Sequence, residues 1–314
     1  MSASTNQQRH VDDAHSQKQV GLKARLRREK FSFILFVLPA LFVFLNVVVI
    51  PFIIGLVYSF TNWDGFSFSG SQFVGLENYR DVLGEERFIR SFGLTFVYAF
   101  AVIILVNVIG LALALLVTSK IKTQNILRSI YFLPNMIGGL ILGFVWQFVF
   151  SRLWPQIGQV LGIEGVFYNW LNDPRMALIA IIMVTVWQQA GYVMIIYIAG
   201  LQAISDDILE AASIDGANAW KRLVRVSLPL MIPTITINLF VTMSSAMKQY
   251  DINLSLTRGG PGGSTELVAM NIYQTAYGYQ NYAEGQAKAV LFFLVIMVIT
   301  VVQLSLSRRK ETRA

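Results

Sequence analysis

Six apolar runs, each long enough to cross a hydrocarbon core, constrain the fold of this 314-residue chain more than any other feature. A helical crossing takes roughly 20 predominantly apolar residues. Such runs lie at about 31–60, 93–118, 130–150, 176–199, 230–250 and 288–306. In a bilayer every backbone N–H and C=O has to find its partner inside the protein, so each run is expected to be a helix. With 55% hydrophobic and 14% charged residues and a mean hydropathy of +0.56, the composition lies outside the range of soluble domains. The expected class is an all-α membrane protein with six transmembrane helices. The fifth run is diluted by Pro233, Thr234, Thr236, Asn238, Thr242, Ser244, Ser245 and Lys248, and that polarity needs a reason of its own.

A net charge of +7 raises the question of nucleic acid, but the basic residues are distributed by span end. Arg9, Lys18, Lys23, Arg25, Arg27, Arg28 and Lys30 precede the first run, and Lys120, Lys122 and Arg128 follow the second. Lys221, Arg222 and Arg225 follow the fourth, and Arg308, Arg309, Lys310 and Arg313 follow the last. The intervening segments hold only Arg80, Arg87 and Arg90, then Arg152 and Arg175, then Arg258. By the positive-inside rule both termini are cytoplasmic, the partner of the positive charge is membrane lipid, and no nucleic acid is expected. The chain divides into a basic tail over 1–30, a membrane domain over 31–307 and a basic tail over 308–314. The first run is too long for a signal peptide and no small-x-small cleavage site ends it, so it is expected to be retained.

The chain has no cysteine, and its two histidines, His10 and His15, lie in the polar tail. No thiolate metal site, cysteine nucleophile or paired acid–base set can be assembled, so no catalytic residue, metal or cofactor is expected. There is no G-x-x-x-x-G-K-[ST] run; Gly259-Gly260-Pro261-Gly262-Gly263 lacks the lysine and reads as a turn. Asp173-Pro174 and Ser205-Asp206-Asp207 are helix-start signals. They predict helices opening the fourth span and covering about 206–215, with Gly216 at a left-handed C-terminal position. A short helix is also expected near 76–88, and Gly139-xxx-Gly143 is expected to let helices approach closely.

Glu210-Ala211-Ala212-Ser213-Ile214-Asp215-Gly216, followed after nine residues by Val226-Ser227-Leu228-Pro229, resembles the EAA motif of bacterial ABC-importer permeases, with Val226 where that motif has isoleucine. Leu256-Thr257-Arg258-Gly259-Gly260-Pro261 and Phe73-Val74-Gly75-Leu76-Glu77-Asn78-Tyr79 resemble segments of the maltose-type subunit of carbohydrate importers. The resemblance extends from about residue 31 onward. It implies a type I ABC-importer permease fold in the bacterial plasma membrane and a coupling loop at about 201–229. It also implies a second permease subunit, a cytoplasmic ATPase pair and an external solute-binding protein as partners. Glu210, Ala211, Ala212, Asp215, Gly216, Leu228 and Pro229 are the coupling residues it assigns.

Thr234, Asn238, Thr242, Ser245 and Gln249 fall at offsets of four, four, three and four, on one stripe of a helix. Such a stripe faces either neighbouring helices or a wet cavity. Gln188, Gln189 and Tyr192 stand at similar depth on the fourth span. The candidate substrate pathway is Gln188, Gln189, Tyr192, Thr242, Ser245 and Gln249, whose amides and hydroxyls suit a neutral sugar, with Trp187 or Tyr192 to cover its apolar face. Lys248 either snorkels to the interface or meets substrate. Tyr273, Tyr277, Tyr279 and Tyr282 form either an aromatic belt or a surface for the binding protein. A permease for glycerol phosphate or amino acids shares the coupling loop and is the alternative within the class. An ion-coupled secondary transporter should carry acids inside the membrane, and none falls within the six runs. A membrane enzyme lacks its reactive set.

Overall fold

The computed structural model describes residues 34–66, 70–119 and 123–311. The basic tail expected over 1–30, with His10 and His15, lies outside the described residues, as do Lys120, Lys122 and Arg313. The chain separates into two units, Met1–Tyr58 and Ser59–Ala314. In the first, α1 covers Ile34–Tyr58 and turns nearly all of its apolar side chains outward, the arrangement expected where lipid is the solvent.

The second unit contains α2 (Glu77–Gly84), α3 (Glu86–Thr118), α4 (Gln124–Met136), α5 (Gly139–Leu161) and α6 (Pro174–Gln202). It continues with α7 (Asp206–Ile214), α8 (Ala219–Leu230), α9 (Ile232–Met247), α10 (Val268–Tyr273) and α11 (Tyr282–Glu311). Four helices, α1, α3, α6 and α11, are each long and apolar enough to cross a membrane; the number rises to six if each of two bent pairs is one crossing. The short helix expected near 76–88 ends at Gly84; Glu85 is extended and α3 starts at Glu86.

The two bent pairs depart from the expectation that each apolar run is one helix. α4 meets α5 at 96° and α8 meets α9 at 74°. The apolar run at 130–150 therefore straddles a corner: the backbone tightens to a 3₁₀ turn over Leu133–Met136 around Pro134, then Ile137 and Gly138 are extended. Hydropathy does not register this break, because the one strongly polar residue in the turn, Asn135, is averaged out by the apolar residues on either side. Three π-helical turns, Leu45–Val49, Val149–Leu153 and Leu223–Ser227, each end two residues before a proline, Pro51, Pro155 and Pro229. A proline ring collides with the carbonyl four residues earlier. Here that carbonyl belongs to Val47, Ser151 or Arg225, inside the widened turn that relieves the clash. Of the kinks expected in the first span, Pro51 is accommodated in this way and the helix runs through Pro39.

Lipid tails are as apolar as leucine, so close packing rather than the hydrophobic effect has to hold such helices together. Small residues supply it. A β-carbon at Gly110 would strike Val193, and at Gly200 it would strike Thr234. One at Gly191 would overlap the Tyr131 carbonyl at the corner of α4. Gly139 and Gly143 lie against Asp251 and Ser255, so the Gly139-xxx-Gly143 pattern seats the turn that follows α9. α3 and α6 run parallel, joined by Tyr98 OH donating to Thr185 Oγ1 at 2.9 Å and Tyr197 OH donating to Asn107 Oδ1 at 2.8 Å. Rings of Trp146, Phe150, Trp154, Phe167 and Trp170 close the hairpin after α5, with Trp146 edge-on to Trp187 at 5.5 Å.

Charges pin the beginnings of α3 and α11. Arg87 makes a bidentate pair with Glu266, both contacts at 2.7 Å, and donates to Gln274 Oε1 and Tyr279 OH. Lys288, 1% exposed, pairs with Glu85 and Glu284 and donates to Thr275 Oγ1 at 2.8 Å. We predict that Gly191→Val lowers the apparent thermal midpoint of the purified protein, costing about 1–3 kcal/mol by overpacking. Gly93→Val, where nothing lies within 4 Å of the new β-carbon, is the control expected to shift it far less.

Candidate functional site: a polar cavity joined to an exposed coupling segment

The expected helix after Ser205 forms as α7. Ser205 Oγ accepts from Asp207 N, and Asp206 and Asp207 occupy the first turn, where the helix dipole favours negative charge. The end of α7 is a complete Schellman arrangement: Ala217 N donates to Ala212 O at 3.0 Å, Gly216 N donates to Ser213 O at 3.1 Å, and Gly216 has φ +78°. Asn218 then caps α8 by accepting from Lys221 N at 2.9 Å, while Arg222 reaches back to Ser213 Oγ at 2.8 Å. The loop is thus a rigid corner.

Its surface is open. Glu210, Ala211, Asp215 and Gly216 are exposed, and Ala212 is half-buried. Two residues that the sequence reading passed over, Ile214 at 81% and Trp220 at 71% exposed, stand on either side of this corner. Their signal in the sequence was their isolation among polar neighbours. Leu228 and Pro229 lie farther along, in the last turn of α8, immediately before the 74° bend at Met231. Met231 is 1% exposed, and Pro233 opens α9 beyond it. Leu228 and Pro229 therefore form the elbow between the α7–α8 corner and α9.

α9 leads to the cavity. A space of about 540 Å³ is lined by Gln188 and Gln189 of α6, by Phe240, Val241, Ser244 and Ser245 of α9, by Lys248–Ile252, and by Gly139. Gln189 Nε2 donates to Ser245 Oγ at 2.9 Å, which fixes the amide across two helices. Gln188 Nε2 donates to Ile137 O at 2.9 Å, satisfying a carbonyl that the broken α4–α5 corner would otherwise leave without a helical partner. Four expected pathway residues, Gln188, Gln189, Ser245 and Gln249, thus line one wall system together.

The other two lie elsewhere. Thr242 is fully buried, donating to Asn238 O at 2.7 Å and accepting from Asn107 Nδ2 at 3.1 Å, so in this structure it joins α9 to α3. Tyr192 is 39% exposed and outside the cavity lining, and Trp187 packs on Trp146 instead. Thr234 packs on Gly200, and Asn238 is fully buried. Lys248, expected at the interface or on substrate, stands in the wall. Ser244, Tyr250 and Asp251 were missed; Asp251 follows the stripe's last member by two residues, beyond the helical register that defined it.

A larger space of about 720 Å³ lies between α3, α4 and α6, but its wall is Leu105, Ile109, Leu113, Ile179, Ile182, Met183 and similar side chains. A polyol would lose its hydrogen bonds there without replacement. Among the described residues no group of three or more His, Asp or Glu is placed to hold a metal ion. We predict that Gln188→Leu, by leaving Ile137 O unpaired, costs about 1–3 kcal/mol in unfolding experiments. Gln249→Leu, which breaks no bond of this kind, should cost less.

Residues 106–312 match the family described as binding-protein-dependent transport system inner membrane component. The chain is 44% identical over 289 residues to a probable starch degradation products transport system permease protein of Thermoanaerobacterium thermosulfurigenes, covering 92% of this chain and 98% of that one. It is 31% identical to the trehalose/maltose transport system permease protein of Thermococcus litoralis, covering 91% and 96%. Its fold superposes on a chain of a bacterial ABC transporter that imports the acidic polysaccharide alginate, with a TM-score of 0.78, 21% identity and coverage of 90% and 96%. With its exposed EAA corner, its membrane-length helices and these relatives, the chain belongs to the inner-membrane permease family of binding-protein-dependent ABC importers.

Proposed function

We propose that this chain is one of two permease subunits of a sugar importer, crossing the bacterial plasma membrane six times with both termini and α7 in the cytoplasm. The observation that carries the proposal is the covalent route from the exposed corner at Glu210–Gly216 through the Leu228–Pro229 elbow to α9, whose far half lines the polar cavity. In this reading, a cytoplasmic ATPase pair receives α7 and the matching segment of the second subunit, with Ala211 and Ala212 allowing close approach and Glu210 offering a carboxylate acceptor. Closing the ATPases displaces α7, and the elbow transmits the movement to Ser244, Ser245 and Gln249. An external binding protein supplies the solute on the opposite face.

The cavity chemistry supports a neutral sugar. Three amide side chains, two serine hydroxyls and a tyrosine phenol offer both donors and acceptors, as a polyol requires. The relatives named for starch degradation products and for trehalose and maltose point to the same class. A phosphate would ask for more than the single ammonium of Lys248 in this wall.

The expected outcome in cells is loss of saccharide uptake when the chain is deleted, measured with a labelled panel of mono-, di- and oligosaccharides, glycerol phosphate and amino acids. Loss confined to glycerol phosphate or an amino acid would overturn the sugar reading and leave the coupling reading standing. For coupling, Glu210→Lys and Gly216→Val should each lower uptake by at least about tenfold at normal membrane abundance. Lysine inverts the docking charge, and valine resists the left-handed backbone at φ +78° although the space around Gly216 is open. Normal uptake in both variants would remove α7 from the coupling role.

A further inference from the structure

Five aromatic rings form a continuous line that ends at the wall of the polar cavity. Tyr250 and Tyr273 have ring centroids 5.2 Å apart, Tyr273 and Tyr277 5.1 Å, Tyr277 and Tyr282 5.9 Å, and Tyr282 and Trp63 5.7 Å. All four separations are those of directly touching rings. Tyr250 belongs to two spaces at once: it lines the cavity of about 540 Å³ and also a cleft of about 270 Å³ whose other rings are Tyr273, Tyr277 and Tyr282. The line therefore runs from the loop before α2, at the end of the molecule away from α7, to the cavity.

Two other readings, a lipid-interface belt and core packing, compete with a sugar-binding role. A lipid-interface belt spreads its rings around the circumference, each contacting headgroups separately; here the rings contact one another in single file. Core packing hides its rings, yet Tyr273 is 44% and Tyr277 62% exposed. Beneath them Ala276, Gly285 and Ala289 make a floor of small side chains, and a β-carbon at Gly285 would strike Ala276. Gln286 adds an amide to the same cleft. Two exposed rings, Tyr273 and Tyr277, tilted 37° to one another over a shallow floor beside an amide, suit a flat solute with an apolar C–H face and a polar rim. A pyranose ring has that form.

We propose that Trp63, Tyr282, Tyr277, Tyr273 and Tyr250 form an outer saccharide track that delivers sugar rings to the polar cavity. The proposal rests on the sugar reading above. The track binds by ring faces rather than by any one phenol, so phenylalanine preserves it and an aliphatic side chain of similar bulk does not.

The experiment uses the complete importer in proteoliposomes, with its binding protein outside, ATP inside, and labelled maltose, trehalose and maltotriose as probes. Uptake kinetics and binding-protein-stimulated ATP hydrolysis are both measured. The pair Tyr273→Leu with Tyr277→Leu should raise the uptake KM roughly tenfold while stimulated ATP hydrolysis and maximal uptake persist. The pair Tyr273→Phe with Tyr277→Phe should restore the KM. An unchanged KM in the leucine pair overturns the track while wild-type saccharide uptake leaves the sugar reading intact. Loss of stimulated ATP hydrolysis in the leucine pair also overturns it, assigning the rings to contact with a partner subunit or the binding protein. A wild-type complex that moves none of the three sugars removes the sugar reading and the track together.

Discussion

Backbone polar groups at membrane depth have to be paired within the protein, and the two broken helix pairs are where this chain meets that constraint at greatest cost. At the 96° corner between α4 and α5, Ile137 O has left the helical pattern and receives its hydrogen bond from Gln188. The cavity exists because the corner does: α5 starts at Gly139, whose missing side chain lets the turn after α9 approach, and both glycine and turn stand in the cavity wall. A straight third span would remove the acceptor that orients Gln188 and alter the gap that the polar wall encloses. The interior polarity of this protein is thus tied to its broken backbone, and the glycines of α5 and α6 hold the broken pieces in contact.

The second break has a different setting. The 74° bend at Met231, flanked by Pro229 and Pro233, separates α8 from α9 while keeping them covalently adjacent. On one side is a corner stiffened by a Schellman cap and by the Asn218 cap; on the other is the helix that carries Ser244 and Ser245. Stiff ends and a bent joint are what a lever requires, and the buried bonds of Thr242 to Asn107 and Asn238 give α9 a defined seat against α3. In the proposed mechanism the work of ATP hydrolysis enters at the first end and changes access to the cavity at the second.

Local signals were legible in the sequence wherever a single residue type has one physical reason to be there. Asp173 and Ser205 cap the helices that they announce, Gly216 has the positive φ that its place demanded, and Gly139 and Gly143 pack closely. The four membrane-length helices follow from hydropathy. The corners did not, because Pro134 and Gly138 leave hydropathy nearly unchanged while redirecting the chain. The polar stripe was only half informative: helical register places Thr242 and Ser245 near one face, but neighbours decide that Thr242 meets Asn107 while Ser245 meets Gln189 and the cavity. Pairing of Arg87 with Glu266, 179 positions apart, and of Lys288 with Glu85 has no local trace, since each depends on helices brought together by the fold.

The central claim is that solute movement through this chain draws on ATP hydrolysed by a partner bound at α7, and it is tested most directly by separating the two possible energy sources. Saccharide uptake would be measured in proteoliposomes holding the complete importer, with ATP enclosed and with proton and sodium gradients collapsed by ionophores. Uptake that persists under these conditions and stops when ATP is omitted is the predicted result. Uptake that collapses with the gradients while ATP remains, or that continues without ATP against a concentration gradient, would contradict it.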